Sequence, residues 1–171
     1  ELLGYTDEEW QFLQNQMICD LNEGYAIYRP RYILPDYNVY IKKGCEFLEL
    51  PAPKNLDEAL DGLLILYSHV PSITTFPVYI GRLDMLLDPF ITDEKQDYIK
   101  IKRFLNHVDK TVPDSFCHAN IGPYDTKAGR LILKAVIELE APTPNMTIRY
   151  DKSKTSHEFA ELAAKACLRS E

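Results

Sequence analysis

The chain has 171 residues and a formal net charge of −7 at pH 7, and 46% of its residues are hydrophobic and 26% are charged. This composition is typical of a globular protein with an apolar core and excludes a disordered chain. The negative charge argues against nucleic acid or an anionic membrane as a partner, and no apolar run approaches the roughly 20 residues that span a bilayer.

Two helices are predicted in the first third of the chain. The first begins at Thr6, whose hydroxyl can cap it while the side chain of Glu9 reaches back. Segment 25–36 contains two prolines and three tyrosines without a helical or strand period, so we predict an ordered, aromatic-rich loop. Asp36 can then cap a short helix that ends at Gly44.

The middle of the chain is predicted to be mainly helical. Asn55 and Glu58 have the spacing of a cap at the start of a helix. This helix is apolar nearly all round, which predicts that it is buried on most sides. We predict that it ends at Pro71. Segment 72–80 predicts either a short strand or an extended arm, and segment 81–89 predicts one or two helical turns.

A longer helix is predicted to begin at the cap Thr92 and to finish before Pro113. The segment 115–123 that follows is partly apolar but has no clear period, so an irregular connection is predicted there.

From residue 126 onwards the pattern predicts a helix, a strand and a second helix. Segment 126–140 has apolar residues at helical spacing, 146–150 has the alternation and β-branching of a strand, and Thr155 with Glu158 forms a capping box before the last helix. A buried strand needs neighbours that bond to its backbone, and this is the one strand predicted firmly. We therefore expect the chain to be a piece of a larger protein.

Arginine and cysteine side chains are the candidates for chemistry. Arg29 and Arg31 flank Pro30, which fixes the backbone, so two guanidinium groups can be presented to a carboxylate or phosphate; ion pairs with nearby acidic residues are the structural alternative. Cys117 lies beside His118, but adjacent side chains seldom face each other, which favours a structural role over a nucleophilic pair. The four scattered cysteines suit reduced thiols in a cytosol, and no metal site or known catalytic motif is predicted.

Three segments occur here in an order and spacing known from one enzyme family. They are R-x-R-x-I-x-x-D-Y at 29–37, G-R-L-D at 81–84, and P-N-M-T-I at 144–148 followed by an alanine- and lysine-rich helix. Together they resemble the glycyl radical enzymes, with formate acetyltransferase as a more distant relative. Five further segments resemble the YjjI family among these enzymes: I-C-D at 18–20, R-P-R-Y at 29–32, L-P-D-Y at 34–37, H-V-P-S at 69–72 and H-A-N-I-G-P at 118–123. The resemblance covers nearly the whole chain.

The resemblance implies an α/β fold that is predominantly helical in this portion. The chain would supply an N-terminal helical layer and the first strand or strands of a ten-stranded α/β barrel. Residues 1–171 would then be a single N-terminal fragment of a larger glycyl radical enzyme domain, without an internal boundary.

The resemblance also implies a reaction. In the family, a stable glycyl radical generates a cysteine thiyl radical, which abstracts hydrogen from a small-molecule substrate under anaerobic conditions. Both residues lie downstream of the matched region, so we expect no catalytic residue, metal ion or bound cofactor in this portion. The glycyl radical of the intact enzyme would be installed by an iron–sulfur activase that uses S-adenosylmethionine.

Site residues and partners follow from the same resemblance. In formate acetyltransferase an arginine of the matching segment helps to hold the substrate carboxylate, so Arg29 or Arg31 is expected to bind a carboxylate. The intact enzyme would be cytoplasmic, with no nucleic acid or membrane partner, and a homodimer is one arrangement open to it. The alternatives are a non-catalytic α-helical protein-interaction module related to the family, and a self-sufficient small enzyme built on Cys117 and His118.

Overall fold

The computed structural model describes residues 6–14, 35–74, 78–111, 117–139 and 144–168. Contacts along the chain group it into two compact units, Glu1–Arg31 and Tyr32–Glu171. No helix in the described ranges is long and apolar enough to cross a membrane.

The first unit contains helix α1 (Asp7–Gln14). The predicted capping box at its start is confirmed: the Glu9 N–H donates to Thr6 Oγ1 at 3.3 Å, and the Thr6 N–H donates to Glu9 Oε2 at 2.8 Å. Residues 15–34, which include Arg29 and Arg31, lie outside the described residues.

The second unit is mixed α/β and mostly helical, as expected, with a three-stranded parallel sheet that is not closed. Its helices are α2 (Tyr37–Lys43), α3 (Leu56–Thr74), α4 (Leu83–Leu87), α5 (Glu94–Thr111), α6 (Lys127–Leu139) and α7 (His157–Leu168). Its strands are β1 (Val78–Arg82), β2 (Cys117–Ile121) and β3 (Asn145–Ile148).

Strand β2 lies in the middle of the sheet and pairs in parallel with β1 on one side and β3 on the other. The prediction of an irregular connection over 115–123 is therefore wrong. The sequence Cys-His-Ala-Asn-Ile contains few residues that favour strands, but both neighbouring strands supply partners for its backbone. The strand predicted over 146–150 is confirmed, but it starts one residue earlier and ends two residues earlier, at Ile148.

One face of the sheet forms the core with the helices. Every second side chain along β1 and β2 points to this face and is at most 2% exposed. These residues are Val78, Ile80, Cys117, Ala119 and Ile121. Helix α6 contacts α4, α5 and α7, and its predicted apolar stripe is buried. Burial of this stripe against the neighbouring helices is the main contribution of α6 to stability.

The predicted helix between Asp36 and Gly44 is confirmed. Asp36 Oδ1 accepts the Asn38 N–H at 3.1 Å, and the Gly44 N–H donates to the Tyr40 carbonyl at 2.8 Å. Gly44 has a φ of +80°, and a Cβ there would lie 2.2 Å from the Leu50 carbonyl oxygen. A glycine is therefore required where the chain turns away from α2.

Helix α3 continues beyond Pro71, so the end predicted there is wrong by three residues. A proline removes one N–H donor, and a helix can continue for a turn past it. Of segment 72–80, residues 72–74 are helical, and a strand forms at Val78–Arg82. The helix is also less buried than predicted, because Ile65 is 37% exposed whereas Leu63 and Tyr67 are fully buried.

The cap of α5 is Asp93 rather than the predicted Thr92. Asp93 Oδ1 accepts the N–H groups of Lys95 at 3.0 Å and Gln96 at 3.3 Å. Asp97 Oδ2 in turn accepts the Thr92 N–H at 2.8 Å. Asp93 thus accepts hydrogen bonds from N–H groups that the first turn of α5 leaves unpaired, and Asp97 accepts one from the backbone just before the helix.

The cap of α7 is also displaced by one residue. Ser156 Oγ accepts the Phe159 N–H at 3.1 Å, whereas the hydroxyl of Thr155, the predicted cap, donates to the Pro123 carbonyl at 2.8 Å. Thr155 Oγ1 also accepts the Asp151 N–H at 3.0 Å. Thr155 thus joins the start of α7 to the turn after β2.

Helix α2 packs against α3 at a glycine. The Tyr40 hydroxyl donates to the Glu58 carbonyl at 3.0 Å, and a Cβ at Gly62 would lie 1.7 Å from the Tyr40 hydroxyl oxygen. The absence of a side chain at Gly62 is what lets the tyrosine ring approach α3 this closely.

We expect Gly62→Ala to destabilise the protein by about 1–3 kcal/mol, because the added methyl group displaces the buried Tyr40 ring and its hydrogen bond. Asp61→Ala, at the exposed neighbouring position, is the control and should change stability by less than about 0.5 kcal/mol. Urea denaturation measures both variants. Equal stability of Gly62→Ala and the wild type would contradict this packing.

Candidate functional site

The second face of the sheet is polar. Because side chains alternate along a strand, the residues between the core positions point away from the helices. They are Tyr79 on β1, His118 and Asn120 on β2, and Asn145 and Thr147 on β3, all half-buried or exposed. We call these five residues the polar sheet face.

Strand register brings the side chains of this face together in rows. Tyr79 lies opposite His118, and their rings stack with centroids 6.0 Å apart and an interplanar angle of 19°. Asn120 lies opposite Thr147, and the Tyr79 hydroxyl donates a hydrogen bond to the Asn120 side-chain oxygen. With that oxygen engaged, the amide nitrogen of Asn120 is the group that can donate to a bound molecule.

The chemistry of this face is that of neutral hydrogen bonding. It offers an amide, hydroxyl groups and an imidazole, and none of its five members carries a fixed charge. Such a surface can orient a small polar molecule. In the sequence, this face is indicated only by the alternation of small or apolar residues with His118 and Asn120. That alternating stretch is too short to predict a strand by itself.

The carboxyl end of the sheet is organised by a buried carboxylate. Asp84 is fully buried, and its Oδ2 accepts the Gly122 N–H at 3.0 Å and the Thr126 hydroxyl at 3.5 Å. Burial raises the pKa of Asp84, while the Gly122 N–H and the charge of Arg82 oppose that rise.

A second carboxylate completes this attachment of α6. Asp88 Oδ1 accepts the Ala128 N–H at 3.0 Å, and Thr126 Oγ1 accepts the Gly129 N–H at 3.0 Å. The G-R-L-D segment and the turn after it therefore hold the N-terminus of α6 at the end of β2. In this chain, the carboxylate of that segment has a structural role.

Arg82, in the same segment, ends β1 after an irregularity in the strand. Gly81 has a φ of +72°, and the register shifts between Tyr79 and Arg82, which places Arg82 opposite Asn120. A glycine bulge of this kind often redirects a side chain at the edge of a site. Here it moves an arginine next to the row that contains Asn120.

A partly exposed ion-pair cluster lies near the starts of α6 and α7. Arg130 Nε and Nη2 donate to the two oxygens of Asp125 at 2.6 and 2.5 Å, and Nη2 also lies 3.3 Å from Glu158 Oε2. The Arg130 guanidinium lowers the pKa of Asp125, and a hydrogen bond from Ser156 assists it.

Cys117 and His118 do not form a nucleophilic pair. Cys117 is fully buried on the core side of β2, and burial raises its pKa to about 12, whereas His118 belongs to the polar sheet face. A thiol in that state lacks the thiolate that a nucleophile needs. The structure therefore contradicts the small enzyme built on these two residues, and no group of three or more potential metal ligands occurs within the described ranges.

Comparison with known proteins places the chain among longer relatives. Residues 1–171 match the family model described as glycyl radical enzyme YjjI-like. The chain is 91% identical over 168 residues, 98% of its length, to an uncharacterized protein of Haemophilus influenzae strain Rd, of which the match covers 33%. It is 49% identical over 158 residues, 91% of its length, to the uncharacterized protein YjjI of Escherichia coli K12, of which the match covers 31%.

The chain thus spans about a third of the length of the curated relatives it matches. No solved structure matches it. The comparisons name a family but no substrate.

At pH 8 we expect iodoacetamide to leave Cys117 unmodified in the native protein, because with a pKa of about 12 roughly one thiol in ten thousand is ionised. Cys167 is exposed and should be alkylated under the same conditions. Peptide mass spectrometry gives the ratio of the two. Modification of Cys117 as fast as Cys167 would contradict its burial.

The Arg130–Asp125 pair should make stability depend on pH. Since the pKa of Asp125 is lower in the folded than in the unfolded protein, the pair stabilises the fold above the ordinary pKa of aspartate and loses this effect as the pH falls through the folded pKa. We expect Arg130→Gln to cost about 1 kcal/mol at pH 7 and less at pH 3, which lies below the ordinary pKa of aspartate, where the stabilisation starts to be lost.

Urea denaturation at the two pH values measures this difference. The control is Arg103→Gln, since Arg103 is an exposed residue that lies 4.0 Å from Asp57 and should contribute little at either pH. A cost of Arg130→Gln that is the same at both pH values would contradict the assigned ion pair.

Proposed function

The chain belongs to the YjjI-like glycyl radical enzyme family, and we propose that it is the N-terminal part of an enzyme that converts a small, carboxylate-bearing metabolite by radical chemistry under anaerobic conditions. We propose further that the polar sheet face lines the substrate cavity of that enzyme. One observation carries this assignment: the sheet is apolar where the helices cover it and polar on its other face.

The open sheet supports this view. Parallel sheets are normally covered on both faces, and strands with free edges pair with further strands. Relatives about three times as long have the residues for such a cover. We propose that β1, β2 and β3 are the first strands of a ten-stranded α/β barrel whose interior contains the polar sheet face.

The radical groups belong to the rest of the intact enzyme in this proposal. A glycyl radical, installed by an iron–sulfur activase that uses S-adenosylmethionine, would generate the cysteine thiyl radical that takes hydrogen from the substrate. The residues of this chain bind and orient the substrate and exclude water. Such an enzyme works in the cytoplasm, away from oxygen.

The substrate contacts fall into two groups. Asn120, held by the Tyr79 hydroxyl, donates its amide to an oxygen of the substrate, and Thr147 lies beside it in register. Arg29 or Arg31 binds the substrate carboxylate, as in the segment of formate acetyltransferase that these residues resemble.

Activation of the intact protein tests the proposed function. Anaerobic incubation with the activase and S-adenosylmethionine should produce the doublet of a glycyl radical in electron paramagnetic resonance. Absence of the doublet, with a known glycyl radical enzyme activated in parallel by its own activase, would favour the non-catalytic interaction module instead.

We expect Asn120→Ala and Tyr79→Phe in the intact protein to leave the yield of glycyl radical unchanged and to slow turnover roughly tenfold to a hundredfold. Asn120→Ala removes the hydrogen bond to the substrate, and Tyr79→Phe removes the hydrogen bond that orients Asn120. Turnover is followed as the disappearance of metabolites from an anaerobic cell extract by mass spectrometry. Glu161→Gln, at an exposed position of α7, is the control and should behave as the wild type. Unchanged turnover in both site variants would remove the polar sheet face from the substrate cavity.

A further inference from the structure

A loop between α2 and α3 presents a phenylalanine ring to solvent. It consists of residues 45–50, with one turn of 3-10 helix at Glu46–Leu48, and we call it the Phe47 loop. Phe47 is 82% exposed, the largest value among the large hydrophobic side chains in the described ranges. Single exposed apolar residues are common on protein surfaces, so the build of the loop and the surface that it fits decide whether this ring has a role.

Backbone hydrogen bonds hold the Phe47 loop in one shape. The Cys45 N–H donates to the Leu50 carbonyl at 2.8 Å, and the Leu50 N–H donates to the Cys45 carbonyl at 2.9 Å. Between them, the Glu49 N–H donates to the Glu46 carbonyl at 3.0 Å, and Glu49 has a φ of +54°, which few residues other than glycine adopt. Cys45 and Leu50 also pack against the core. The ring is therefore presented on a fixed backbone, which lowers the entropy that binding would cost.

Two acidic residues flank the ring. Glu46 and Glu49 are exposed, and neither forms an ion pair with a described residue. The apolar tip of the loop is thus surrounded by negative charge. A surface that accepts this tip should be apolar in the middle and positively charged at its rim.

A groove of that kind lies between α5 and α6. It has a volume of about 400 Å³, and Tyr98, Leu131 and Ile137 form its apolar wall. Lys95 and Lys134 also line it, and both are exposed and form no ion pair within the described part of the chain. An apolar concavity with a few charged groups beside it is the usual form of a binding pocket.

The two acidic residues of the groove lie where other groups balance their charge. Glu138 forms an ion pair with Lys102, whose Nζ lies 2.5 Å from Glu138 Oε2. Glu94 is in the first turn of α5, where the unpaired N–H groups of the helix attract a carboxylate. The charges left in the groove without such a balance are those of its two lysines. They are opposite in sign to the charges of the Phe47 loop.

We propose that the Phe47 loop docks into the α5–α6 groove of a second copy of the protein, so that the intact protein is a dimer. The ring lies against the apolar wall, and the two glutamates of the loop pair with the two lysines at the rim. In a dimer with twofold symmetry each copy supplies one loop and one groove, so the contact is made twice. A buried aromatic anchor surrounded by polar groups is typical of the residues that contribute most to the stability of an interface.

This interface goes beyond the proposed function, because neither the loop nor the groove belongs to the polar sheet face. The Phe47 ring does not fill the groove of its own chain, since it is exposed. The part of the intact protein beyond this chain is the other possible occupant of the groove, and the experiments below distinguish it from a second copy.

Sedimentation velocity of the intact protein before activation measures the dimer and its dissociation constant. Phe47→Ser removes the ring, and Leu168→Ser is the matched control, since Leu168 is also apolar and is 73% exposed on α7. We expect the wild type to dimerise, Phe47→Ser to raise the dissociation constant at least tenfold, and Leu168→Ser to behave as the wild type. Melting temperatures of the same samples show that each variant is folded.

An exchange of charges identifies the partner. The loop variant carries Glu46→Lys and Glu49→Lys, and the groove variant carries Lys95→Glu and Lys134→Glu. Either variant alone has like charges at both contacts of the dimer, which should weaken the dimer at least tenfold. In an equimolar mixture, a dimer of one copy of each has opposite charges at both contacts and should form with nearly the affinity of the wild type. A contact within one chain cannot be restored by mixing.

The proposal is overturned if the intact wild type is monomeric at about 100 μM, a concentration at which even a weak specific dimer is populated. It is also overturned if Phe47→Ser leaves the dimer unchanged. A mixture that dimerises no better than either charge variant alone would likewise overturn it, because the remainder of the same chain would then cover the loop or the groove. The glycyl radical plays no part in these measurements, so its absence would count against the proposed function alone.

Discussion

The pairing of β2 with a strand on each side is the constraint on which the rest of the structure depends. A five-residue strand in the middle of a sheet can be buried only because both of its edges find backbone partners. Parallel pairing in turn requires a crossover between consecutive strands, and helices supply it here. Helices α4 and α5 connect β1 to β2, and α6 connects β2 to β3, so the order of the strands determines where the helices lie.

This arrangement separates the sheet into two chemical environments. The face against the helices buries apolar side chains and the thiol of Cys117, whose pKa rises as a result. The other face brings Tyr79, Asn120 and Thr147 into neighbouring positions on three strands.

Local signals in the sequence predicted most of the helices. The capping box of Thr6 and Glu9, the cap at Asp36 and the glycine at position 44 are interactions within a few residues, so they can be recognised without the fold. The amphipathic pattern of α6 predicted its buried face for the same reason. Family resemblance added an interpretation of the G-R-L-D segment, and it placed substrate binding at Arg29 and Arg31, which stays a prediction.

By itself, then, the sequence determined the helices, their periodic apolar faces and the family to which the chain belongs. Only the tertiary structure decided that 117–121 is the central strand, since Ala119 and Asn120 have little intrinsic preference for one and the partners come from distant segments. It likewise decided that Thr155 bonds to Pro123 rather than capping α7. Each of these depends on contacts between residues far apart in the chain, which no local pattern encodes.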